Sequence, residues 1–295
     1  FQAASLALYL WVIAAILAPA RQRDPVIARN WFLVAAAFPA VFINLGHGQN
    51  GLLTAGLLGG ALVTWERPII SGLCIGLLSY KPQFALVIPV ALLAAGRWRT
   101  IASAALTTIA LVAVSWLCFG TESWTAFLAS TEMSRKVLLE QGSVGFEKLQ
   151  SAFAAVRLLG GGVPLSYAVQ GVVSALAVLA TALTWRTSKN HALKAALLVA
   201  ATALASPHLV DYDLVMLAPA LAFLTHVMLE DGARNYEKSL MAFVWVAPLL
   251  VRSVAGLAGV PVGLLSTLTL FALVLRRLRS ERPRGRIAPA IASVI

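Results

Sequence analysis

Charge is scarce in this sequence. Of 295 residues only 12% are Asp, Glu, Lys or Arg, about half the share that a soluble globular domain carries, which excludes an ordinary water-exposed surface. Cysteine is nearly absent: Cys74 and Cys118 are the only two, and both lie inside apolar runs. A disulfide framework or a cysteine-rich metal site is therefore excluded, and both read as small core residues. Zinc-ligand spacing, a Walker loop, a dinucleotide fingerprint and a serine-hydrolase elbow are also missing. No cofactor is expected on that ground, with a divalent metal left open.

Apolar residues, at 60% of the chain, fill the space that charge leaves. They come in runs of about 15 to 20 residues separated by short polar breaks, without the alternating pattern of an outer-membrane barrel. The expected class is an all-α, polytopic transmembrane helical bundle. Eleven segments are predicted, near 2–19, 31–45, 50–65, 69–80, 83–95, 100–119, 165–185, 192–206, 209–229, 239–257 and 260–276. Phe1 already lies within an apolar run, so the start of the protein is expected to be missing, and nothing reads as a signal peptide.

The net charge of +11 is a topology signal and not a nucleic-acid patch. One alternate set of breaks, near 21–29, 65–68, 96–100, 185–194, 230–238 and 276–286, holds 17 of the 23 basic residues and 6 of the 12 acids. The opposite set is neutral. The positive-inside rule then makes the basic set cytoplasmic, and the basic stretch from Arg276 to Arg286 reads as an anchor near anionic lipid.

The outward set contains "NLGHGQN" at 44–50, "YKPQ" at 80–83, a long loop at 120–164 and "SPHLVDYD" at 206–213. Segment 69–80 would span only about 18 Å against a hydrocarbon core of about 30 Å. Lys81 is thus placed below the outer surface, on either a re-entrant hairpin or broken helices beside a water-filled cavity. Gly51, Gly56, Gly59, Gly60, Gly72 and Gly76 read as close helix packing. In the long loop Phe146, Leu149, Phe153 and Val156 recur at helical spacing, which predicts an amphipathic helix on the outer face.

Each polar residue has a plain alternative. Lys81, a cation in an apolar stretch followed by Pro82, is a functional candidate or a lysine snorkelling to the interface. His208 is a candidate or an interfacial turn residue. Asp211 and Asp213 are candidates or acids complementing the positive end of a helix. By spacing, His208 and Asp211 would share a helix face while Asp211 and Asp213 would point apart. His47, Gln49, Asn50 and Asn44 occupy a break that needs polar caps in any case.

The runs "NLGHGQNGLLTAGLLGGALVTWERPIISGLCIGLLSYKPQFALVIPVALLAAGRWR", "LQSAFAAVRLLG" and "SPHLVDYDLVMLAPAL" resemble glycosyltransferase family 87, polytopic transferases of the GT-C superfamily. The resemblance implies transfer of a hexose, usually mannose, from a polyprenyl-phosphate donor to a glycan or glycolipid acceptor. The reaction would take place on the extracytoplasmic side of the cell membrane, with membrane lipid as surroundings and no nucleic acid as partner. On that pattern Lys81 and His208 would bind the donor phosphate, and His47, Gln49, Asn50, Gln83 and Tyr212 would contact the sugar. Asp211 and Asp213 are the candidate catalytic carboxylates, although the usual general base of the superfamily would lie upstream of Phe1. The transmembrane domain would cover 1–278, including the 120–164 loop, and a basic cytoplasmic tail would cover 279–295. A secondary transporter with an intramembrane Lys, His and Asp site is the alternative.

Overall fold

The computed structural model describes residues 1–84 and 86–281. Fourteen α-helices are present among them: α1 Gln2–Ile16, α2 Ala18–Arg23, α3 Pro25–Ala36, α4 Pro39–Gly46, α5 Gly51–Val63, α6 Pro68–Leu77, α7 Ile88–Ala94, α8 Trp98–Met133, α9 Ala152–Leu158, α10 Val163–Thr187, α11 His191–Ala205, α12 Leu217–Asp231, α13 Glu237–Ala258 and α14 Val262–Glu281. Tight turns at Leu78–Tyr80, Pro82–Phe84, Phe146–Lys148 and Asp211–Met216 interrupt them. No strand occurs among the described residues beyond an isolated bridge between Leu149 and Val210. The protein is an all-α polytopic bundle, as predicted.

Length and burial sort the helices. Among the described residues five stretches are long and apolar enough to cross a membrane: Pro25–Gly46, Trp98–Glu140, Val163–Thr187, Asp211–Asp231 and Glu237–Ala258. The shorter α5 and α11 are the innermost, with Leu52 to Leu62 and Leu193 to Ala205 almost wholly buried. On α8, by contrast, Leu106, Ile109, Val114, Leu117 and Phe119 all stand exposed. In a bundle that faces lipid such a surface carries no penalty. Cys118 is on this outer face and is not a core residue; Cys74 is half-buried, and both are free.

The glycines of α6 make the α6–α8 contact possible. A Cβ on Gly72 would lie 2.5 Å from the Ser103 Cβ, and one on Gly76 would lie 2.7 Å from the Ala104 carbonyl oxygen. The Ser103 hydroxyl, brought that close, donates to the Ile69 carbonyl at 2.9 Å.

Polar caps and prolines set several boundaries that the apolar pattern misplaced. The second segment begins at Pro25, not 31, because Asp24 accepts from the Val26 N–H at 2.8 Å and proline suits the first helical position. Gly120 bends α8 through φ 74°, yet the helix resumes to Met133, so the first part of the expected outer loop is helical. Phe146, Leu149, Phe153 and Val156 do not form one helix. Phe146 is in a tight turn, Leu149 is extended, and only Phe153 and Val156 belong to α9. Their spacing instead builds a small satellite core around Leu139, Leu149, Phe153 and Ala154. The Gln150 N–H donates to the Leu209 carbonyl at 2.7 Å and straps this core to the 206–213 break.

Contacts join the basic breaks to one another. Arg23 pairs with Glu230 at 3.0 Å, Trp65 stacks on Trp185 with centroids 4.4 Å apart, and the Arg276 guanidinium donates to the Asn235 carbonyl at 2.9 Å. Position 278 falls inside α14. Arg277, read from sequence as part of a lipid anchor, is instead buried against Glu237, with two bonds of 2.6 Å. Residues 282–295 of the expected tail lie outside the described residues.

Candidate active site

Three helix breaks converge. In the first, between α4 and α5, the Leu52 N–H donates to the buried Asn44 side-chain oxygen at 3.4 Å, and with its amide turned over Asn44 would donate to the Gln49 carbonyl and accept from the Gly51 N–H. A Cβ on Gly51 would sit 2.6 Å from the Tyr212 carbonyl oxygen, so glycine is what lets α5 start against the Asp211–Met216 turn. The Thr54 hydroxyl donates to the Asn50 carbonyl at 3.0 Å and meets the Tyr80 hydroxyl at 2.8 Å, which ties in the second break.

Lys81 lies in that second break, between two 3-10 turns, where Pro82 offers no N–H to continue a helix. The helices on either side have 10 and 7 residues. Their far ends meet, because Arg97 pairs with Glu66 and stacks over Trp65 at 5.2 Å. The ends of α6 and α7 farthest from Lys81 are thus brought together, as both readings that sequence left open require.

The third break supplies the partners. Lys81 Nζ pairs with Asp213, and both side chains are buried. The ammonium also lies 5.6 Å from the ring centroids of Phe84 and Tyr212. Asp211, fully buried, points the other way to Arg252 of α13. Arg252 in turn donates to His47 Nε2 at 2.7 Å, and since a guanidinium can only donate, the ring proton is on Nδ1, which donates to the Ile43 carbonyl at 2.7 Å. Tyr212, between the two acids, brings its ring to 6.1 Å from that of His47.

Lys81, Asp213, Tyr212, Asp211 and His47 are therefore one constellation, with Gln49 and Asn50 in the adjoining break and Gln83 half-buried two positions after Lys81. The divergence of Asp211 and Asp213 is as their spacing predicts. Both carboxylates are engaged with cations. His208 makes none of these contacts. It precedes the Asp211–Met216 turn and shares no helix face with Asp211; instead it lines a cleft of about 450 Å³ with Thr131, Arg135, Leu139 and Tyr167. Burial holds its imidazole pKa below the ordinary value of 6.5. No group of three or more His, Cys, Asp or Glu capable of holding a metal occurs among the described residues.

Sequence reasoning missed Arg252. A lone arginine near the end of the apolar run 239–257 was visible, but it was weighed only as a charge.

The family model for glycosyltransferase family 87 matches residues 1–207, well over half of the chain. The chain belongs to glycosyltransferase family 87. Its match covers the 44–50 and 80–83 breaks and ends just before His208, so the two aspartates and Arg252 that complete the constellation lie beyond it. No curated protein and no solved structure matches the chain.

Proposed function

We propose that this family 87 glycosyltransferase takes a hexose, mannose in the first instance, from a polyprenyl-phosphate donor and passes it to a glycan or glycolipid on the extracytoplasmic side. The observation that carries the reading is the pairing of Lys81 with Asp213 and of Arg252 with Asp211 within one turn of a membrane-embedded bundle. Ionisable groups at membrane depth are costly and mark functional sites by default. These two pairs stand where the set of breaks with no net charge meets, away from the basic breaks that the positive-inside rule assigns to the cytoplasm.

Arg252 and Lys81 supply the positive field for the donor phosphate. Cations and hydrogen-bond donors fixed in a poorly hydrated pocket stabilise the charge that develops on a leaving phosphate. Asp211 and Asp213 hold these cations in place, and His47 steadies the far edge of Arg252. The Asn50 side-chain oxygen is buried without a hydrogen-bond partner, which suits it to a sugar hydroxyl, with Gln49, Gln83 and Tyr212 beside it.

Transfer of labelled sugar from polyprenyl phosphate, measured in membranes carrying the full-length protein, tests the reading. Transfer that needs Lys81 and Arg252 supports it. Parental rates in Lys81→Ala and Arg252→Ala would remove the phosphate role.

A further inference from the structure

A second site lies at the opposite end of the bundle. An apolar trough of about 430 Å³ runs between α1, α3, α12 and α13, floored by Tyr9, Ile13, Phe38 and Leu221 and rimmed by Val26 and Val34. Two hydrogen bonds keep it open: the Tyr9 hydroxyl donates to the Ala35 carbonyl at 2.9 Å, and Trp245 Nε1 donates to the Val34 carbonyl at 3.2 Å. They brace α3 at its rim against α1 on one side and α13 on the other. Val26, Leu33 and Val34 of α3 remain more than half exposed, so the trough opens toward the surroundings of the bundle and not into its core.

A cation with no ion-pair partner among the described residues stands at its mouth. The Arg21 guanidinium stacks over the ring of Trp31 at 4.7 Å, and Trp31 itself lines the trough. Arg21 Nε is buried without a hydrogen-bond acceptor. The carboxylates of that corner are engaged elsewhere: Asp24 caps α3, and Glu230 pairs with Arg23 at 3.0 Å and His226 at 3.5 Å. A wall that is apolar except at Asn30 and Thr225 and ends in an arginine beside an indole matches a lipid chain below a phosphate. Indole rings favour the headgroup level of a bilayer, and a guanidinium binds phosphate by paired, charge-assisted hydrogen bonds.

We propose that this trough is a binding site for one anionic phospholipid, with an acyl chain along α3 and the phosphate on Arg21. It is separate from the constellation around Lys81 and independent of the substrate reading given above.

The test is native mass spectrometry of the full chain, reconstituted in equal parts of phosphatidylglycerol and phosphatidylcholine with added polyprenyl phosphate, then extracted in mild detergent. One phosphatidylglycerol per chain should be retained over phosphatidylcholine. Arg21→Gln should lower its retention about tenfold, the scale of one charge-assisted contact. Ala242→Phe, which fills the trough from an exposed position, should lower it as well, while Arg23→Gln, whose charge is already paired, should not. If Arg21→Gln folds poorly, Arg21→Lys with and without Ala242→Phe decides by the same readout. Retention unchanged in the Arg21 and Ala242 variants, equal retention of phosphatidylcholine, or displacement by polyprenyl phosphate would each overturn the proposal.

Discussion

Asp211 and Asp213 stand two positions apart in one turn, yet they hold cations from different parts of the chain: Arg252 for the first and Lys81 for the second. A 3-10 turn carries successive side chains to different sides, so one short segment can fasten both the Lys81 break and α13. The turn is where the Lys81 break, the α4–α5 break and α13 acquire a common geometry.

The buried pair separates architecture from chemistry. Removing one member leaves an uncompensated buried charge, so Lys81→Ala or Asp213→Ala should each cost about 3–5 kcal/mol of stability. Replacing both, as Lys81→Met with Asp213→Leu, should recover most of that loss because no charge remains buried. Thermal unfolding in detergent reads the stability, and sugar transfer by the same samples reads the chemistry. A double variant that regains both stability and transfer would make the pair a structural fastener alone.

Arg252 is held on two edges, and its lysine replacement should be informative. Lysine keeps the charge but cannot bridge Asp211 and His47 with a planar fork. Transfer should fall about tenfold to a hundredfold in Arg252→Lys and less in His47→Ala, with both proteins extracted in parental amounts. Equal activity of Arg252→Lys and the parent would reduce Arg252 to a charge.

Much of this arrangement was legible in the sequence. The all-helical apolar architecture and the divergence of the two aspartates follow from run length and spacing. Arg252 was hidden because its partners His47 and Asp211 lie 205 and 41 positions away, and nothing local to α13 shows which loop end its helix approaches. Lys81 read as a lone cation for the same reason, with its acid 132 positions distant. The Phe146 to Val156 repeat misled because spacing of three and four also arises when a strap folds over a small core. His208 was grouped with Lys81 by side of the membrane, a coordinate too coarse to separate two clefts at one end.

Close packing of α6 on α8 predicts a steep dependence on side-chain size. Gly72→Leu or Gly76→Val would place carbon where the backbone and side chains of α8 already lie, and overpacking of this kind costs about 1–3 kcal/mol. Gly171, with nothing within 4 Å of a would-be Cβ, is the control, and Gly171→Ala should be neutral or slightly stabilising. Unfolding midpoints of the three variants in detergent test the contrast.

His208 gives the protein an acid-sensitive element outside its spans. Burial lowers its pKa below the ordinary 6.5, so as pH falls through 6.5 the unfolded chain takes up the proton first and stability declines toward the lower folded value. Above 6.5 the contribution is constant. Unfolding measured between pH 5 and 7.5 should therefore show a decline on the acid side that His208→Gln reduces. An identical pH profile in the variant would place the responsible group elsewhere.

The orientation of the bundle can be tested at two exposed positions chosen from opposite sets of breaks. Gln141 follows the α8 extension in the segment assigned to the outside, and Lys189 lies between α10 and α11 in a basic break. Cys118 rests on the apolar face of α8 and should be inaccessible to a charged reagent in an intact bilayer, but Cys118→Ser removes it from consideration. In that background Gln141→Cys should react with an impermeant maleimide in intact cells, whereas Lys189→Cys should react only after permeabilisation. The reverse pattern would put the Lys81 constellation on the cytoplasmic side, where the positive-inside rule does not place it, and would refute the proposed extracytoplasmic transfer while leaving the family and the fold unchanged.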